Sequence, residues 1–106
     1  MGRDMDAIQI IATGKALPKK LVTNDDMSKI VDTSDEWILK RVGIKERRMS
    51  EEGVYTSDLA TKAAEQALAN AVLKPEELQL IVLASVTPDM YTPSVACLVQ
   101  KNLGAV

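Results

Sequence analysis

The chain has 106 residues, 46% of them apolar, with 13 basic against 15 acidic side chains for a net charge of −2. This describes a soluble globular chain of at most one small domain, and it gives no electrostatic reason to expect nucleic acid or an anionic membrane as a partner. One cysteine excludes an internal disulfide, there is no histidine, and no apolar run approaches the roughly 20 residues of a spanning helix.

Met1 to Asp6 reads as a frayed polar start. Ala7 to Thr13 is an isoleucine-rich β candidate closed by Gly14, and Lys15 to Thr23, with Pro18, reads as a surface connection. Asn24, followed by Asp25 and Asp26, is placed as the N-cap of a short helix to about Val31, with Met27, Ile30 and Val31 facing inward. Ser34 then caps a second helix. Asp35 and Glu36 sit in its first turn, Lys40 and Arg41 in its last, and Gly43 at its left-handed end.

Ile38, Leu39 and Val42 form the apolar stripe of that helix at 100° per residue. Trp37, the single tryptophan, lies off the stripe, four residues before Arg41 and four after Thr33. An indole face, a guanidinium and a hydroxyl together suit a ligand with a flat base and a phosphate. On spacing alone the alternative stays open that Trp37 wraps round to the core and Arg41 is a solvated charge.

Lys45 to Tyr55 reads as a loop, with a short β piece around Ile44 to Met49. Thr56 or Ser57 opens the clearest helix, which ends near Val72. Leu59, Ala60, Ala63, Ala64, Ala67, Leu68, Ala71 and Val72 keep its i, i+3, i+4 pattern, and so many alanines imply close backbone approach. Pro75-Glu76-Glu77 is a turn with proline at a first helical position. Leu78 to Val86 is short and almost continuously apolar, as in a strand covered on both faces of a parallel sheet. Thr87 to Thr92 is a loop, and Thr92-Pro93 is expected to be the N-cap and N1 of a last helix through about Asn102, stopped by Gly104. This order is α/β. A parallel strand needs neighbours that these residues do not supply, so the chain is expected to be a piece of a larger fold.

Cys97 is the tempting nucleophile, but it lies inside the last helix among Ala96, Leu98 and Val99 with no histidine to activate it, so a buried, inert thiol is expected. Lys45, Arg47 and Arg48 are expected to be solvated surface charges.

The run D-T-S-D-E-W-I (32–38) with R-V-G-I-K-E-R-R (41–48) resembles the N-terminal signature of β-ketoacyl-acyl-carrier-protein synthase III. Further matches lie at Gly14 to Pro18 with Val22-Thr23-Asn24, at Ser57-Asp58-Leu59-Ala60, and at Pro93-Ser94-Val95-Ala96-Cys97 with Leu103-Gly104-Ala105, in the family's order. The resemblance implies the N-terminal part of a thiolase-like αβαβα fold, residues 1–106 being a segment of its first half without a complete domain. It implies an acyltransferase that condenses acyl-CoA with malonyl-acyl-carrier protein to start type II fatty-acid synthesis. The complete enzyme would be a cytoplasmic homodimer, with acyl-CoA as substrate, no cofactor or metal, and neither nucleic acid nor membrane as partner.

By resemblance, Thr33, Trp37 and Arg41 would bind coenzyme A. Thr92 would line the far end of the partner's acyl pocket at the dimer interface, its small side chain leaving room for primers larger than acetyl; the alternative is that Thr92 only caps a helix. No catalytic residue of the family falls in these positions, since its active cysteine, histidine and asparagine lie later. The alternatives are a related condensing enzyme of secondary metabolism and a stand-alone non-catalytic CoA-binding or assembly module.

Overall fold

The computed structural model describes residues 7–106; the frayed start expected for 1–6 lies outside the described residues. The chain divides into two compact units. One is Leu17–Tyr55, and the other joins the residues up to Ala16 to Thr56–Val106.

Leu17–Tyr55 is built on a two-stranded antiparallel sheet of β1 (Lys20–Thr23) and β2 (Glu46–Met49), with Lys20 opposite Met49 and Thr23 opposite Glu46. The surface connection expected over 15–23 therefore ends in a strand, while the short β piece near 44–49 is present. Helix α1 (Asn24–Ser28) begins one residue earlier in its capping than the sequence suggested. Thr23 is the N-cap, in a reciprocal capping box with Asp26. The Thr23 amide and hydroxyl hydrogen bond to Asp26, and together with Lys29 they lower its carboxyl pKa from 3.8 to about 2. The helix also stops at Ser28, leaving Ile30 (73%) and Val31 (49%) exposed rather than inward.

Asn24, freed from capping, is 1% exposed and organises the unit. Its Nδ2 donates to Asp35 Oδ1 (2.8 Å) and to the Ile44 carbonyl (2.8 Å), and its Oδ1 accepts from Arg47 Nη2 (2.6 Å). Arg47 Nη1 also donates to the Val22 carbonyl (3.3 Å). Arg47 is thus a half-buried structural cation, not the solvated charge expected. A buried amide needs partners for both its ends, and this guanidinium supplies one. Helix α2 (Asp35–Val42) follows.

In the second unit, α3 (Thr56–Ala71) packs on α4 (Val95–Leu103), with Leu68, Val95, Val99 and Ala105 buried. Ser57 and Thr61 are buried on α3 as well. Asn102 Nδ2 donates to Thr61 Oγ1, and Asp89 accepts from both the amide and the hydroxyl of Ser57 at the helix start. The close approach that the alanines imply is present at Gly14. A Cβ there would lie 2.0 Å from the Ala63 carbonyl oxygen and 2.6 Å from the Ala67 nitrogen, so only glycine fits. Gln66 and Asn70 hold the same stretch, accepting from the Lys15 amide and donating to the Thr13 carbonyl. A 3₁₀ turn at Pro75–Glu77 carries proline at its start, as expected.

Neither apolar run forms a ladder. Residues 7–13 and 78–86 pair with no strand, and Ile8, Ile10, Leu80, Val82 and Val86 are 78–102% exposed. A strand exists only through its neighbours' amides and carbonyls, and the described residues offer none to these runs. Leaving five such side chains in water forfeits on the order of 10 kcal/mol, as much as a whole domain's net stability. The architecture is α/β and incomplete.

Candidate functional site

Helix α2 carries the residues singled out in the sequence, and its ends are fixed locally. Ser34 is extended (φ −143°, ψ 159°), and its Oγ accepts the Trp37 amide hydrogen bond (3.2 Å). Gly43 closes the helix in the left-handed region (φ 70°), its amide donating to the Leu39 carbonyl (3.0 Å). Ile38 and Leu39 are half-buried, but Val42 is 60% exposed, so the apolar stripe is only partly covered.

Trp37 is 55% exposed and does not turn into the core that the described residues form. The Arg41 guanidinium lies over the indole, 5.5 Å from the ring centroid. At this spacing and exposure a cation–π contact contributes about 0.5–1 kcal/mol. Beside the indole opens a shallow cavity of about 370 Å³ lined by Asp32, Thr33, Ser34 and Trp37.

Thr33 joins this wall, but its hydroxyl is not presented to it. Oγ1 is covered and has no hydrogen-bond partner. A buried unpaired hydroxyl costs about 1–3 kcal/mol. Thr33, Trp37 and Arg41 therefore follow one another along one short helix, with an exposed indole, a cation over it and a covered hydroxyl before its N-cap. Asp32, which the sequence reading passed over, is the fourth element; its signal was an acidic residue two positions before the N-cap.

The remaining expectations fare differently. Thr92 is exposed and does not cap α4. Its peptide bond to Pro93 is cis, and Ser94 is the N-cap, accepting the Cys97 amide hydrogen bond (3.3 Å). Serine at 94 competes for the cap and wins because its Oγ reaches that amide, which leaves Pro93 outside the helix. Gly104 ends α4 in the left-handed region as expected. Cys97 is exposed, not buried. The Ser94 hydroxyl donates to its Sγ (3.2 Å), and the thiol borders a cavity of about 230 Å³ alongside Leu78 to Ile81. Among them, no group of three or more His, Cys, Asp or Glu residues could hold a metal ion, and no helix is long and apolar enough to cross a membrane.

No family model matches the chain. Individual proteins do. It is 58% identical over 101 residues to the β-ketoacyl-[acyl-carrier-protein] synthase III of Clostridium acetobutylicum, an alignment covering 95% of this chain and 31% of that protein. The enzyme of the same name from Caldanaerobacter subterraneus is 58% identical over 100 residues, covering 94% and 30%. The chain matches the N-terminal third of synthase III.

The fold agrees. The crystal structure of 3-oxoacyl-[acyl-carrier-protein] synthase III from Aquifex aeolicus superposes with a TM-score of 0.84 at 57% identity, over 91% of this chain and 31% of that one. The priming β-ketosynthase of the R1128 polyketide pathway superposes with a TM-score of 0.86 at 29% identity, over 92% and 29%. The chain thus spans about 30% of the length of the synthase III relatives it matches, and its fold is the N-terminal part of their thiolase-like arrangement.

Proposed function

We propose that the chain is the N-terminal part of an acyltransferase of the synthase III type. The whole enzyme would condense acyl-CoA with malonyl-acyl-carrier protein, giving 3-oxoacyl-acyl-carrier protein, free CoA and carbon dioxide. Within it, this segment holds the nucleotide end of acyl-CoA. Trp37 stacks on the adenine, Arg41 bonds a phosphate, and Thr33 turns its hydroxyl to the base edge. The chain supplies no catalytic residue; the carbon–carbon bond is made by groups elsewhere in the enzyme. Homodimer assembly, a cytoplasmic location and a place for Thr92 at the partner's acyl pocket belong to the same reading.

The observation that carries the proposal is the exposed indole of Trp37, with Arg41 at 5.5 Å, opening on a cavity that Thr33 also lines. A base stacked on the indole and a phosphate on the guanidinium would engage both groups at once. A housekeeping fatty-acid role is favoured over a polyketide one because identity reaches 58% with synthase III enzymes, against 29% with the polyketide priming synthase.

The test is kinetic. Trp37→Ala and Arg41→Ala in the complete enzyme each raise KM for acetyl-CoA about fivefold to a hundredfold, from the 1–3 kcal/mol of a base stack or a charged hydrogen bond at about 1.4 kcal/mol per decade. An unchanged KM in both variants refutes the assignment.

A further inference from the structure

The loop that leads into α4 is tied to a helix far from it in sequence. Ser57, in the first turn of α3, is buried, and the half-buried Asp89 grips it twice. Asp89 Oδ1 accepts from the Ser57 amide (2.8 Å), and Oδ2 accepts from the Ser57 hydroxyl. Beside this pair, Thr56 Oγ1 donates to the Thr87 carbonyl (2.6 Å). A carboxylate at a helix start also meets the positive end of the helix dipole, so Asp89 acts as a cap of α3 from 32 residues away.

These contacts place the residues that follow. Ser94 is held as the N-cap of α4, so 90–93 is a short span tethered at both ends, by Asp89 to α3 and by Ser94 to α4. The two helices pack on each other, so both tethers belong to one body. Met90, Tyr91 and Thr92 are exposed on the span, and packing of their side chains does little to place them. Its position is set from its ends.

We propose that Asp89 is a positioning residue for the acyl primer: through Ser57 it fixes the span that carries Thr92, and so sets the chain length accepted. The inference rests on the reading that Thr92 stands at the end of an acyl pocket, and it adds what holds Thr92 there. A pocket separates chains by about tenfold or more per methylene, and only while its end wall stays in place.

The experiment compares kcat/KM for acetyl-CoA and octanoyl-CoA in the complete enzyme. Their ratio does not depend on how much enzyme is folded, so a merely structural loss leaves it unmoved. Asp89→Ala brings the ratio about fivefold or more nearer to one. Asp89→Asn restores the wild-type ratio, because its carbonyl accepts from the Ser57 amide and its own amide donates to the Ser57 hydroxyl. Ser57→Ala keeps the backbone contact, moves the ratio the same way by less, and serves where Asp89→Ala does not fold. A ratio unchanged in both alanine variants, or shifted equally by Asp89→Asn and Asp89→Ala, overturns the role of Asp89 alone. Thr92→Phe tests the reading beneath it, since a ring at the end wall lowers octanoyl-CoA relative to acetyl-CoA. A ratio indifferent to Thr92→Phe overturns the place of Thr92, and the inference falls with it.

Discussion

Replacing Asn24 by alanine tests how the fold positions the ligand helix. The amide is 1% exposed and joins three elements, since it binds Asp35 at the head of α2, the Ile44 carbonyl before β2, and Arg47 within β2. Alanine leaves the half-buried Arg47 guanidinium without its 2.6 Å acceptor, worth about 2 kcal/mol for a charged group, and the Ile44 carbonyl without a donor, worth about 1 kcal/mol. Asp35 is exposed and regains water, so it adds little. The expected loss is about 3 kcal/mol. In urea, with a slope of about 1–1.5 kcal/mol/M for a unit of this size, the midpoint falls by about 2 M or more. Trp37 emission reports the transition directly, because the indole sits two residues after Asp35. Asn24→Asp keeps the volume and the acceptor for Arg47 but removes both donors and sets a second carboxylate against Asp35; it loses at least as much. A loss below about 1 kcal/mol in both variants would mean that the buried amide is not what ties α2 to the sheet.

Three further outcomes follow from single sites. Thr33→Val removes a covered hydroxyl that has no partner, so it raises thermal stability by about 1–3 kcal/mol while weakening CoA binding; a destabilised variant would show that the hydroxyl is satisfied. Val72, 89% exposed, ends α3 with φ at 57°, a conformation costing a β-branched residue about 1–2 kcal/mol. Val72→Gly should gain about 1 kcal/mol in denaturant unfolding, and no gain would mean that the turn tolerates the branch. Asp26, held at about 2 in the folded chain against 3.8 when free, stabilises fully above 3.8 and loses that contribution as pH falls through about 2. The melting difference between wild type and Asp26→Asn should therefore shrink between those pH values, and a difference independent of pH would contradict the assignment.

Features written within a few residues of one another were legible before the structure. Both ends of α2 are marked by Ser34 and Gly43, the alanines of α3 announced a close backbone approach though not that Gly14 makes it, and Gly104 marked the end of α4. Where two local signals competed, the wrong one was chosen. Thr23 with Asp26 outranks Asn24 as a cap, and Ser94 outranks Thr92. The T-x-x-D spacing of a capping box would have fixed the first of these. The strands expected at 7–13 and 78–86 find no pairing partner among the described residues, so the apolar pattern was visible but did not decide the structure. Cys97 lies on the exposed side of α4, which its apolar sequence neighbours did not announce. The burial of Asn24 and Arg47 is a tertiary outcome joining residues 23 apart, which no local spacing announces. Trp37 stood out as the single tryptophan placed off its helix's apolar stripe; that Thr33 would hide its hydroxyl, and that Asp32 would stand free beside it, became visible only in the folded chain.

The central claim is that the indole of Trp37 receives the base of coenzyme A with Arg41 on its phosphates. Trp37 is the single tryptophan, so its emission during titration with CoA is the most direct measurement. The account predicts a saturable quench whose midpoint rises about tenfold in Arg41→Ala. Emission that stays constant to millimolar CoA, or a midpoint indifferent to Arg41, would contradict it.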